Sequence, residues 1–298
     1  MEYYKRGWFK YVPERFIPII RPKIIDTINK EGNIIGRVAG INLKPIDLKE
    51  EKLLNEYIQA IIKLNQEQNK TLIIEDYNHI GKESVDEIRK KTNMRIFTGE
   101  NTKIKSIPIA IKEIYNLLKE DLKKQEILVI SDRKAIAKDI IKSFSKEVRF
   151  ITTIGDTEEN IEEIYNSILE ETGLSLFHSS NIEKILSNYS IIVNLKDTLD
   201  FNISKLRKSA IVFDLSHSKI FKTADKGRNT YHVIEDFIFQ LDSLGIEDTI
   251  WINNKLSSNI YESLNEKQDL KFYQIYSNGD YYYLRDFVNL VIRAKGKM

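Results

Sequence analysis

Ser131, Arg133, Asn194, Lys196 and Asp214 are the residues of this chain best placed to do chemistry together. Each stands at or just past the end of a short apolar run. In an open parallel sheet the carboxyl ends of the strands line one crevice, so these five form the candidate ligand-binding set. Thr153, His178, Ser216 and His217 fall at the same edge. Asp214 with His217 reads as an acid–base pair, or with His178 as a metal site. Both histidines read equally as loop residues making ordinary hydrogen bonds, because their spacing matches no ligand motif. No catalytic residue and no metal ligand is assigned. His79 and His232 are isolated and read as structural. The absence of Ser-x-x-Lys, P-loop, HExxH and EF-hand patterns removes the usual hydrolase, NTPase, metalloprotease and calcium-sensor readings.

The elements that position this set are legible from periodicity. Ile127–Ser131 is a buried parallel strand that runs straight into an amphipathic helix, and the turn between them contains no glycine. A dinucleotide-binding domain keeps its G-x-G-x-x-G at such a turn, because glycine lets the backbone approach a pyrophosphate at the helix N-terminus. Here the three positions hold Ser131, Arg133 and Ile136. Arg133 puts a bulky side chain where phosphates would rest, Asp132 adds a negative charge, and Ile136 crowds the helix–strand packing. A phosphate would need a charge clamp from Arg133, Lys134 and the helix amides. Thr152 and Thr153 occupy the place of a ribose-binding acid, with Asp156 beyond it. The expectation is therefore no cofactor, with NAD and NADP disfavoured.

Further strands are predicted at Val148–Ile154, Leu174–His178, Ser190–Leu195 and Ala210–Leu215, with a helix over Glu158–Glu171 ended by Gly173. With Ile127–Ser131 they predict a parallel five-stranded sheet of order 3-2-1-4-5. Upstream, Ile34–Leu43, Lys70–Glu75 and Met94–Thr98 read as strands. Leu48–Asn65, Lys82–Thr92 and Ile107–Leu122 read as helices, Pro108 suiting a first turn. Asn181–Leu186 reads as a short helix and Ile203–Arg207 as a helical turn. Downstream, Asn229–Leu244 reads as an amphipathic helix, Thr249–Asn253 as a strand and Tyr283–Ala294 as a terminal helix. Asn278-Gly279 is a hairpin turn signal among Tyr273, Tyr276, Tyr281, Tyr282 and Tyr283. The fold class is α/β with two domains. An N-terminal α/β domain spans 1–106, a connecting helix 107–125 and a Rossmann-like doubly wound parallel sheet 126–222, with a mixed C-terminal segment, 223–298, packing back on the domains.

Residues 107–218 resemble the cofactor domain of the shikimate dehydrogenase, glutamyl-tRNA reductase and dipicolinate synthase A-chain group. The resemblance is carried by IPIAIKEIYNLLKEDLKKQEILVIS, GLSLFHSSNIEKILSNYSIIVNL and SAIVFDLSHSK. It implies a Rossmann-like NAD(P)-binding domain, with fourth and fifth strands ending near Asn194 and Asp214. The glycine loop departs from the group's pattern. Two readings follow: a non-catalytic, regulatory or small-molecule-binding descendant of a dehydrogenase-like fold, or an active NAD(P)-dependent oxidoreductase of the amino-acid/shikimate type with a divergent phosphate loop. The glycine-free turn favours the first.

Composition bounds the remaining classes. The 298 residues are 42% hydrophobic and 30% charged, as in soluble globular domains. Forty-six Lys and Arg against 44 Asp and Glu leave +2, too balanced to indicate nucleic acid or an anionic membrane. Zero cysteines exclude disulfides and thiolate chemistry. The basic bias in residues 1–30 reads as a solvated terminus, without the features of a signal peptide, and a cytoplasmic location is expected. The polar segment 216–229 reads as a solvated connection or a phosphate-binding lid. The tyrosine-rich segment reads as interdomain packing or a partner groove. A small-molecule ligand is the partner the crevice suits.

Overall fold

The computed structural model describes residues 22–43, 48–65, 69–75, 77, 80–177, 182–224, 231–247, 255–265 and 270–293. Two compact units are formed, Met1–Thr98 with Gln240–Leu256, and Gly99–Phe239 with Ser257–Met298.

In the first unit β1 (Lys23–Lys30) and β2 (Asn33–Gly40) make an antiparallel hairpin. The turn residues Glu31 and Gly32 have φ of 52° and 78°, the paired positive values of a type I′ turn. Glu-Gly is a weaker signal than Asn-Gly, so β1 is not evident from sequence. Helices α1 (Glu51–Leu64) and α2 (Lys82–Thr92) follow. They flank a parallel pair, β3 (Thr71–Leu72) and β4 (Arg95–Ile96), shorter than the predicted strands. Ile58, Ile61, Ile74, Ile80, Ile88 and Met94 form the core. The 240–256 segment is tied to β1 by a bridge between Lys30 and Ile246 and by Glu247 N donating to Asn29 O.

The second unit begins with α3 (Glu100–Leu118), earlier than the predicted Ile107. Pro108 lies in its interior and not in a first turn, so the helix gives up one backbone hydrogen bond there. Next come β5 (Glu126–Ile130), α4 (Lys134–Phe144), β6 (Phe150–Ile154), α5 (Glu158–Thr172), β7 (Ile191–Asn194), β8 (Ile211–Asp214), the short helix α6 (Ile220–Ala224) and β9 (His232–Ile234). The sheet is parallel throughout, in the order β6-β5-β7-β8-β9. The predicted third strand shrinks to one parallel bridge, Phe177 to Thr152, on the outer side of β6. The order 3-2-1-4-5 therefore holds, and β9 extends it by a strand. β7 and β8 are wholly buried, which is why IIVN and IVFD read as continuous apolar runs and do not alternate. α4 buries Ala137, Ile140, Ile141 and Phe144, one face at helical spacing. α5 starts at Thr157, whose side chain accepts from Asn160 N, and stops at Gly173 with φ 72°. The segments 182–188 and 203–205 form 3-10 turns.

The predicted helix over Asn229–Leu244 is corrected. Its described part is β9, then β10 (Asp236–Phe239), then a 3-10 turn, Leu241–Leu244. Every residue from Tyr231 to Phe239 is buried. A surface helix leaves one face exposed, whereas extended chain within a packed unit buries both. β10 pairs antiparallel with β11 (Gln274–Ser277), and β11 with β12 (Asp280–Tyr282). The Asn278-Gly279 turn between them, φ 52° and 98°, is as predicted. The terminal helix forms within its predicted span, Leu284–Asp286 as one α turn followed by a π-helix, Phe287–Ile292. The predicted strand at 249–253 lies outside the described residues. Among those described, no helix is long and apolar enough to cross a membrane.

Candidate functional site

The five predicted residues come together at the carboxyl edge of the second unit's sheet. Asn194 closes β7 and Asp214 closes β8, side by side in the parallel register. Asn194 Nδ2 donates to Asp214 Oδ1 at 3.0 Å and to Lys196 O at 2.9 Å, while its Oδ1 accepts from Lys196 N at 3.1 Å. Lys196 Nζ then reaches past the end of β5 to Gly155 O, 3.0 Å away. Gly155 has φ 100°, and a Cβ there would stand 2.8 Å from Lys196 Cδ and 3.1 Å from Ser131 O. Only glycine fits beneath this lysine. Ser131, buried at the end of β5, accepts from Arg133 N at 3.0 Å and so shapes the turn.

Arg133 and Lys134, the expected phosphate clamp, are both engaged by carboxylates. Arg133 Nη1 and Nη2 bond Glu100 Oε2 and Oε1 at 2.7 and 2.6 Å, a bidentate pair. Lys134 pairs with Glu163 on α5. Asp214, with no solvent exposure, accepts at Oδ1 from Asn194, from Ser216 N at 3.2 Å and from the Ser216 hydroxyl. Its Oδ2 accepts from Phe221 N at 3.0 Å. Both oxygens are thus used in holding the β8–α6 loop. His178 and His79 lie outside the described residues. His232 is buried, edge-on to Phe287. Among the described residues, no group of three or more metal-binding side chains converges.

A second set of charges, unmarked by any sequence motif, is buried beside the first. Lys219 Nζ donates to Asp214 O at 2.8 Å and Glu235 O at 3.4 Å. Lys103 of α3 stands 3.9 Å from Asp236 Oδ1. All four of Lys103, Lys219, Glu235 and Asp236 are less than 9% exposed. Burial, and then the charge of Lys103, push the Lys219 ammonium down to about 8, against the opposing pull of Asp214, Asp236 and Glu235. At the end of β6, Asp156 Oδ1 accepts from Thr157 N and Asn160 Nδ2, both at 2.8 Å, while its buried Oδ2 has no hydrogen-bond partner.

Glu100, Gly155 and Lys103 escape a sequence reading for different reasons, whereas Lys219 falls in the 216–229 segment read as a solvated connection or a phosphate-binding lid. Glu100 and Lys103 precede the predicted start of their helix. Gly155 carried a usable signal, a glycine directly after a strand.

The order of this parallel sheet defines a Rossmann-like α/β fold. Similar solved structures include shikimate 5-dehydrogenase from Listeria monocytogenes, in complex with shikimate and NAD (15% identity, 41% of this chain and 45% of that one, TM-score 0.30). The dipicolinate synthase A-chain from Bacillus halodurans is another (17%, 47% and 51%, 0.31), as is L-tryptophan dehydrogenase from Nostoc punctiforme (15%, 66% and 57%, 0.34). The chain spans about half the length of these proteins. No protein-family model matches it, and no curated protein does.

Proposed function

We propose that this protein is a degenerate dehydrogenase-like fold with a non-catalytic role, regulatory or small-molecule-binding, that does not use a nicotinamide cofactor. The observation that carries this reading is the bidentate pairing of Arg133, the residue preceding α4, with Glu100. A pyrophosphate would have to displace a carboxylate already bonded to that guanidinium, and would meet the negative charge of Asp132 and Ile136 in place of a glycine. The residues do not fit that group. A ligand at this edge would instead meet the half-buried Lys196, behind which the buried Ser131, Asn194 and Asp214 hold the loop ends, a polar setting suited to a small hydroxylated or carboxylated molecule.

The test is a thermal-shift panel with NAD and NADP at concentrations that saturate ordinary dehydrogenases, run beside native mass spectrometry of the purified protein. No nucleotide stabilisation is expected. A cofactor at 100 times its dissociation constant would stabilise by ~2.7 kcal/mol, so a rise of several degrees would overturn the proposal. One observation favours the second reading, an active NAD(P)-dependent oxidoreductase: the unpartnered Asp156 Oδ2 at the end of β6, near where a ribose-binding acid is expected. Under that reading nucleotides stabilise the wild type and Asp156→Asn removes the effect.

A further inference from the structure

At the opposite end of the sheet from its carboxyl edge, where β5 and β6 begin, lies an open groove of about 610 Å³. Phe150 and Phe177 line it while 55% and 56% exposed. Lys123, Lys146 and Arg149 line it too, and none of the three forms an ion pair among the described residues. Glu147, the acid in the lining, is held by Lys112 at 3.1 Å. The groove is therefore cationic with two aromatic anchors. The two exposed rings share one depression rimmed by charge, the pattern of an interaction site.

The same molecule carries the complementary surface. α5 ends on the rim of the groove, where Thr172 and Gly173 line it. Glu163 and Glu171 on this helix are engaged by Lys134, Lys138 and Lys142. Glu158, Glu159, Glu162 and Glu170 are exposed and form no ion pair among the described residues, and Leu169 beside them is 42% exposed.

We propose that the groove receives a second copy of this chain, the acidic face of its α5 lying along Lys123, Lys146 and Arg149 with Leu169 against the phenylalanines. The contact closes as a dimer when each copy's α5 enters the other's groove about a two-fold axis. Nucleic acid suits the site less well, since the glutamates of α5 on the rim repel a phosphate backbone.

The test is sedimentation velocity on the full chain over a concentration series, at about 0.05 M and about 0.5 M NaCl. A dimer is expected whose dissociation constant rises about tenfold or more with salt. Lys146→Glu/Arg149→Glu and Glu159→Lys/Glu162→Lys should each be monomeric, with unchanged melting temperature. Mixing the two variants should restore a dimer, since each supplies the charge the other has lost. A protein monomeric throughout, a dimer indifferent to either variant, or a mixture that stays monomeric would overturn the proposal. A thymidine oligonucleotide bound by the wild type and lost in the groove variant would assign the site to nucleic acid and equally overturn it.

Discussion

Asp214 shows how a residue typical of catalysis is spent on structure. Its oxygens receive hydrogen bonds from Asn194, Ser216 and Phe221 with no exposure to water. Asp214→Ala would leave the Phe221 and Ser216 amides and the Asn194 amide group without that acceptor, and should cost about 3 kcal/mol or more by urea denaturation. The Arg133–Glu100 pair is partly exposed, so Glu100→Gln should cost only about 1 kcal/mol in the same assay. Lys219 makes a pH prediction whose sign is fixed. Its folded value of about 8 lies below the ordinary 10.5. Between the two the unfolded chain holds a proton that the native one has released, so stability rises with pH across that window. The gain is about 3 kcal/mol when complete. Chemical denaturation from pH 7 to 10 should show the rise, and Lys219→Met should flatten it.

Among the elements, the start of α3 is the most sharply constrained. Gly99 has φ 74°, and a Cβ there would stand 2.4 Å from Asn259 N and 2.6 Å from Ser258 C, both backbone atoms. These belong to the first turn of the helix Ser258–Leu264 (α7), which lies in the same unit. Gly99→Ala combines left-handed strain with a clash that no rotamer relieves, and should cost about 3 kcal/mol or more. Glu262 Oε2 accepts from Thr102 N at 3.2 Å, fastening the two helix starts together. Differential scanning calorimetry of Gly99→Ala, beside Gly173→Ala where nothing lies within 4 Å of the added Cβ, separates the two penalties. The Gly173 change should carry only the strain, about 1 kcal/mol. Arg133 and Glu100 meet only because α3 begins this early.

At the scale of the whole molecule, two buried tyrosines report on the two units separately. Tyr57 in the first and Tyr115 in the second are both pushed up to about 12, chiefly by burial. Above pH 10 the unfolded chain loses phenolic protons that the native chain keeps, so stability falls as pH rises toward 12. Together with Lys219 this predicts a stability maximum near pH 10. Tyr57→Phe should soften the alkaline decline of the first unit and Tyr115→Phe that of the second, read by absorbance at the tyrosinate band during pH titration.

What the amino-acid order determines alone is local. Continuous apolar runs such as IIVN and IVFD, the Asn278-Gly279 turn and the Gly173 stop report conformations that neighbouring residues impose on one another. Hence the parallel sheet, its order and the convergence of Ser131, Asn194, Lys196 and Asp214 were readable. His232–Phe239 was not, because its spacing suits a helix as well as a strand and pairing with β8 and β11 decides between them. The partners of Arg133 and the burial of Lys103 and Lys219 were equally hidden. These charges are ordinary along the chain, and only the packing of α3 and the β8–α6 loop around the carboxyl edge of the sheet removes water from the two lysines and brings Glu100 to Arg133, Asp236 to Lys103 and backbone carbonyls to Lys219.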